Sequence, residues 1–371
     1  MKVEFIAFDS MGVKSSCVQV KTRDATITID PGIAIEEDSF PLDGVRRTWL
    51  VNKFYSEIID SCKKSDIIIV THYHYDHYQP DPELFKGKTV LLKDWKKDIN
   101  KSQKGRAAEL LSIIEKGRNK AKLIRAIDGK ELRIGRTKIK FSKPMWHGPE
   151  KSKVGYVLMV SIEDATKKKL LFTSDLDGPY IEKYANMIIK EKPDVLVMDG
   201  FPTYLLGFIA SYENLRKVLK NTIKILEKTK CELYILDHHL LRDYRYRELY
   251  YEVFKKAKEL GKNVMTAAEA NGEKPQCLLG YMKNGPTRWK NWEKLTFSKL
   301  NKIVREAKAK GRKIRTKAKK GKTTKKTTGK TKKTKAKKTT KKTAKAKRSK
   351  KAGKTKKRKT KKPKKSSKRK K

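Results

Sequence analysis

Short apolar runs alternate with amphipathic segments along the first 260 residues. Runs over 25–29, 66–70, 89–92, 137–142, 155–162, 169–173, 194–198 and 232–236 are rich in Ile, Val and Leu and predict strands. Segments over 48–62, 107–116, 181–190, 213–228 and 246–260 predict helices; in the fourth, Leu215, Val218, Leu219, Ile223, Ile225 and Leu226 recur near helical spacing. The opening residues, Met1 to Phe8, predict a first strand and turn polar too quickly for a signal peptide. Strands alternating with helices predict a layered α/β architecture. The stretches near 128–142 and 153–173 predict consecutive antiparallel strands, which a purely parallel sheet does not accommodate. An αββα sandwich fits this pattern: two mixed sheets face to face, with helices outside.

The pattern then changes. Gly272, Pro275, Gly280, Gly285 and Pro286 predict loops over 271–289, followed by a helix over about 292–310. Beyond it the chain repeats Lys, Thr and Ala, with Ile314 as its one large apolar residue. Such a segment buries too little apolar surface to offset its ordering entropy and is expected to be disordered alone. The organisation expected is therefore a globular body over 1–290, a connecting helix over 291–310 and a disordered basic tail over 311–371.

Charge sharpens that division. The 371 residues carry a net charge of +53. Residues 307–371 hold 37 Lys and Arg and no Asp or Glu, which leaves +16 on the first 306. No run approaches the ~18 apolar residues of a membrane span. Cys17, Cys62, Cys231 and Cys277 form no CxxC pair, so reduced, packed thiols in a cytoplasmic protein are expected.

Candidate chemistry concentrates in six histidines, three of them in the window Thr71-His72-Tyr73-His74-Tyr75-Asp76-His77. The window follows the strand predicted over 66–70, at the end where α/β sheets place their sites. His72 and His74 are two apart, so in an extended segment they face one side and suit a single ion. Asp76 and His77 follow as the chain turns, toward a second position. Imidazole and carboxylate suit Zn²⁺, with Fe or Mn also compatible.

His72-x-His74-x-Asp76-His77 resembles the defining motif of the metallo-β-lactamase superfamily. The other elements of that pattern follow in order. Ile27-Thr28-Ile29-Asp30-Pro31-Gly32 resembles the early strand-ending Asp, and Pro144-Met145-Trp146-His147-Gly148 the lone His after a hairpin. Leu171-Phe172-Thr173-Ser174-Asp175 resembles the later strand-ending Asp, and Tyr234-Ile235-Leu236-Asp237-His238-His239 the final His. The resemblance covers roughly 1–290. Phe8-Asp9-Ser10-Met11-Gly12-Val13, Asp199-Gly200-Phe201-Pro202-Thr203-Tyr204 and Asp237-His238-His239-Leu240-Leu241-Arg242-Asp243 look like an uncharacterised archaeal branch of it.

The resemblance implies two zinc ions. His72, His74 and His147 would hold the first; Asp76, His77 and either His238 or His239 the second. Asp175, in competition with Asp177, would bridge them, and Asp30 would orient a ligand without touching metal. Asp76 and Asp175 are thus the carboxylates at the reaction centre. Two-metal hydrolases hold ions roughly 3.5–4 Å apart and bring a bound water toward a pKa of about 7, which supplies hydroxide. Asp199 and Tyr204 either line the pocket or shape a turn. Arg242 and Asp243 either meet an anionic substrate group or pair with each other.

The tail resembles linker-histone tails in composition. It would bind nucleic acid non-specifically through residues 307–371, by phosphate contact and counterion release. It has no aromatic residue on which bases would stack. Only 63 positions separate Asp175 from His238, too few for the inserted domain of large nucleases of the superfamily. A metal-dependent hydrolase is expected, with phosphodiester ahead of lactone or other ester. The alternative is a nucleic-acid-binding protein with a structural or vestigial metal site.

Overall fold

The computed structural model describes residues 1–279 and 294–311. The expected disordered tail over 311–371 lies outside them from residue 312 on, as do 280–293.

The first sheet is built from β1 (Lys2–Phe8), β2 (Ser16–Lys21), β3 (Thr26–Ile29), β4 (Ile67–Val70), β5 (Thr89–Leu92) and β6 (Leu123–Ala126), in that order. β1, β2 and β3 pair antiparallel; β3 to β6 pair parallel. The parallel crossovers carry α1 (Gly44–Lys64) and α2 (Lys101–Ile114). The second sheet takes β7 (Glu131–Ile134), β8 (Thr137–Phe141), β11 (Val160–Glu163), β12 (Lys169–Phe172), β13 (Val195–Asp199), β14 (Leu233–Asp237) and β15 (Val264–Met265). Its order is β15-β14-β13-β12-β11-β8-β7, parallel from β12 to β15 and antiparallel beyond. A separate ribbon pairs β9 (Met145–Trp146) with β10 (Tyr156–Val157). α3 (Glu182–Glu191) and α4 (Tyr212–Lys228) follow β12 and β13, and α5 (Tyr246–Leu249) and α6 (Tyr251–Glu259) follow β14.

Strand periodicity sorts the layers. Leu170, Phe172, Val195, Val197 and Ile235 share one core with Val18, Val20, Ile27 and Ile29 of the first sheet. Their neighbours Leu171, Leu196, Met198, Tyr234 and Leu236 join Ile188 of α3, Leu215 and Leu219 of α4 and Val253 of α6 in a second core. On the first sheet, Gln19 donates to the Ser61 carbonyl (2.7 Å) and Thr28 meets the Ser65 hydroxyl (2.7 Å), so that face lies under the C-terminal turn of α1. The result is the expected αββα sandwich with two mixed sheets.

Boundaries shift where capping and tertiary contacts overrule the apolar pattern. α1 starts at Gly44 because the Asp43 carboxylate accepts from Arg46 N. α2 starts at Lys101 under an Asn100 cap; its polar first turn hid it from a periodicity reading. The strand expected over 155–162 splits into β10 and β11. The helix expected over 246–260 breaks at Tyr250, whose hydroxyl accepts from Phe201 N (2.8 Å). A helix over 297–311 buries Leu300 and Val304 in the second core. All four cysteines are buried and unbonded to each other. Among the described residues no helix is long and apolar enough to cross a membrane.

Candidate metal centre

The candidate ligands, with Asp30 behind them, follow strands of both sheets and of the β9–β10 ribbon. β3 runs into Asp30, β4 into Thr71–His77, β9 into His147, β12 into Asp175 and β14 into His238. Four non-glycine residues here hold left-handed backbones: Asp30 (φ 50°), Ser174 (φ 54°), Asp177 (φ 52°) and His238 (φ 58°). Strain of this kind collects at functional sites, where the surrounding structure over-determines it.

Two sets of donors converge on Asp175, which is almost fully buried. One carboxylate oxygen, Oδ2, lies 3.4 Å from His72 Nε2 and 3.3 Å from His147 Nε2; His74 Nδ1 is 3.1 Å from His72 Nε2. Oδ1 lies 3.3 Å from His238 Nε2, which is 4.0 Å from Asp76 Oδ2. His77 Nε2 is 3.0 Å from Asp175 Oδ2. His77 Nε2, His238 Nε2 and Asp175 Oδ1 are buried and lack a hydrogen-bond partner despite these distances. Donors that close and that poorly aligned for hydrogen bonding point at shared centres. Ligand atoms on a tetrahedral ion with bonds of about 2.0–2.1 Å stand roughly 3.3 Å apart, which these separations match. The donor chemistry therefore fits divalent metal, in the groups His72-His74-His147-Asp175 and Asp76-His77-His238.

Backing groups fix the rings. Asp30 accepts from Thr71 N (2.7 Å), Thr71 Oγ1 (2.6 Å) and His77 Nδ1 (2.8 Å). Burial pushes its carboxyl up, against the pull of His77. Asp9 accepts from His238 Nδ1 (2.6 Å). His147 Nδ1 stands 3.7 Å from Asp177, and His74 Nε2 3.5 Å from Gln103 Nε2. Burial, aided by neighbouring His77, pushes His72 down to about 3. His77 goes the other way, to about 10: burial opposes its charge, but Asp175 and Asp30 together outweigh it. Asp175 is held well below the carboxylate range: burial disfavours its charge, but the surrounding imidazoles, His77 first, prevail. The cluster draws positive charge.

Of the residues expected near substrate, Asp199 is buried and accepts from Asp177 N (2.7 Å) and His239 Nδ1 (3.1 Å), so it shapes the turn and aims His239. The Tyr204 hydroxyl is 3.5 Å from Arg242. Arg242 and Asp243 do not pair with each other. Arg242 bonds Asp9 and reaches Asp76 (3.2 Å), while Asp243 takes Arg245 (2.7 Å), because the turn after β14 sends the two side chains apart. Asp9 escaped sequence reasoning as a site residue. The Phe8–Val13 segment stands out in the sequence, but nothing in it gives Asp9 a role beside the metal ligands.

No protein-family model matches the chain. It is 39 % identical over 272 residues to a UPF0282 protein of Korarchaeum cryptofilum, spanning 72 % of this chain and 89 % of that one. The chain belongs to the UPF0282 family. Another UPF0282 protein, from Methanocaldococcus jannaschii, is 39 % identical over 296 residues and covered to 96 %. Solved structures similar to this UPF0282 chain include a possible metal-dependent hydrolase from Veillonella parvula (14 % identity, TM-score 0.42, 69 % of this chain and 94 % of that one). A metallo hydrolase from Ignicoccus hospitalis is similar at 15 % identity and TM-score 0.41, over 71 % of this chain and 93 % of that one.

Proposed function

We propose that this chain is a metal-dependent hydrolase that holds two divalent ions, zinc ahead of iron or manganese, and acts on a phosphodiester ahead of a lactone or other ester. The observation carrying the proposal is Asp175, with one oxygen toward His72 and His147 and the other toward His238. His72, His74 and His147 would hold one ion, Asp76, His77 and His238 the other, with Asp175 between them. His238 is preferred to His239 because its buried Nε2 stands 3.3 Å from Asp175 Oδ1 and 4.0 Å from Asp76 Oδ2, whereas His239 Nδ1 sits with Asp177 (3.4 Å) and Asp199 (3.1 Å). An imidazole-rich donor set completed by carboxylates suits zinc and also accommodates iron or manganese. When bound, such ions acidify water toward neutral pH and polarise the scissile group. The chain's own residues do the positioning: Asp30 fixes His77, Asp9 fixes His238, and Arg242 steadies Asp76.

Residues 307–371 would add non-specific phosphate contact, which favours the phosphodiester reading. Metal analysis of the purified chain, with a panel of phosphodiester, lactone and thioester substrates, tests the proposal. Two ions per chain and metal-dependent turnover are expected. Unchanged metal content in His74→Ala/Asp175→Ala overturns the ligand assignment. Deleting 307–371 is expected to abolish salt-sensitive retention on nucleic acid; unchanged retention removes the tail from the proposal.

A further inference from the structure

One face of the candidate centre concentrates unpaired positive charge. The loop over 148–154 leaves His147 and returns to it, since His147 N donates to the Gly155 carbonyl (3.1 Å). It docks on the start of α2: Asn100 Nδ2 donates to the Lys153 carbonyl (3.1 Å) and Gln103 Nε2 to the Val154 carbonyl (2.9 Å). Gly155 permits the closure. Its φ is +116°, and a Cβ there would lie 2.8 Å from Gln103 Nε2 and 3.0 Å from Asn100 Nδ2. Gln103 in turn reaches His74, so loop, helix and candidate ligand form one assembly.

Lys96, Lys97, Lys101, Lys104, Lys151 and Lys153 are exposed on this assembly. None pairs with a carboxylate among the described residues. Some lysines elsewhere do, as Lys168 with Glu232 (2.6 Å) and Lys224 with Glu182 (2.7 Å). The local Asp94 carboxylate is engaged by the backbone amides of Lys96 and Lys97, which leaves Asp98 and Glu150 as the exposed acids of these segments. Aromatic rings flank the cations. Trp146, before His147, stacks on Tyr156, after Gly155, at 4.3 Å. Tyr75, 41 % exposed between His74 and Asp76, bonds Glu109 of α2 and lies under Arg106.

The geometry points to this lip as the docking surface for a single-stranded nucleic acid beside the His74 and His147 side of the centre. Cations along a backbone with rings for bases are the chemistry that holds a single strand. The inference rests on the phosphodiester reading and names the polymer that would supply it.

Lysine acetylation footprinting by mass spectrometry tests it on the full-length, zinc-loaded chain, with and without a single-stranded RNA or DNA of mixed sequence. Several-fold slower acetylation at the six lysines is expected, with exposed Lys64 and Lys258 unchanged. Protection confined to residues 307–371 overturns the lip; equal protection by a duplex overturns its preference for single strands. The full-length K97E/K101E/K151E/K153E variant is expected to lower the slope of log affinity against log salt by about 3, four phosphate contacts at ~0.7 each. An unchanged slope overturns the lip too. Footprinting needs no turnover, so lip protection without cleavage of the strand sinks the phosphodiester reading alone, and cleavage without lip protection sinks the lip alone.

Discussion

Asp9 and His238, 229 positions apart, share a buried 2.6 Å hydrogen bond at the ends of β1 and β14. The acceptor oxygen also takes Ser15 N, and the other oxygen takes Arg242, which reaches Asp76. Burial would raise the Asp9 carboxyl, but Arg242 and His238 hold it well below the ordinary range, so it stays ionised. One carboxylate thus braces two candidate ligands of the same metal position, directly at His238 and through Arg242 at Asp76.

Asp9→Asn keeps the size and removes the charge. Zinc affinity at the Asp76-His77-His238 position is expected to fall about 10–100-fold. The His72-His74-His147 position should hold its affinity. Competition titration against a chromophoric chelator resolves the two; an equal loss at both, or none, refutes the bracing role.

Two glycines should respond oppositely to alanine. A Cβ at Gly32 would stand 2.1 Å from Tyr78 N and 2.3 Å from His77 N, both backbone atoms. Gly32→Ala is expected to cost about 3 kcal/mol or more in urea unfolding and to displace His77. Gly105 lies exposed within α2 with nothing within 4 Å of an added Cβ, so Gly105→Ala should stabilise by about 0.5–1 kcal/mol.

Acid should loosen one tie between the sheets. Asp24, in the turn between β2 and β3, accepts from Thr137 Oγ1 (2.8 Å) and Arg136 N (3.0 Å) at the start of β8. The Thr137 hydroxyl, with the Arg136 amide, holds its carboxyl below the usual value. A depressed folded pKa gives stability that is present above the unfolded value, about 3.9, and lost as pH falls through the folded one. Wild type should therefore exceed Asp24→Asn in stability at pH 6, and the gap should close in stronger acid. A gap independent of pH refutes the assignment.

The ligand window was legible because metal chemistry restricts residue type and β4 supplies the extended spacing of His72 and His74. The sheets were legible because runs such as 169–173 and 194–198 are apolar on both faces, as strands between two cores must be. Asp9 was not: its meaning depends on β1 and β14 ending side by side, which local pattern does not encode. Nor were the separate partners of Arg242 and Asp243, set by the turn after β14. The start of α2 is decided by the Asn100 cap, beneath a polar first turn.

The closure of loop 148–154 has a consequence for how such a centre diversifies. Both ends of the loop are fastened at one point, His147 N on the Gly155 carbonyl. Apart from the backbone at 153–154, which α2 holds, the residues between them can change in length and charge while the imidazole keeps its aim. The loop is a replaceable cassette: exchanging it offers a route to alter what the centre receives without rebuilding what holds the ions.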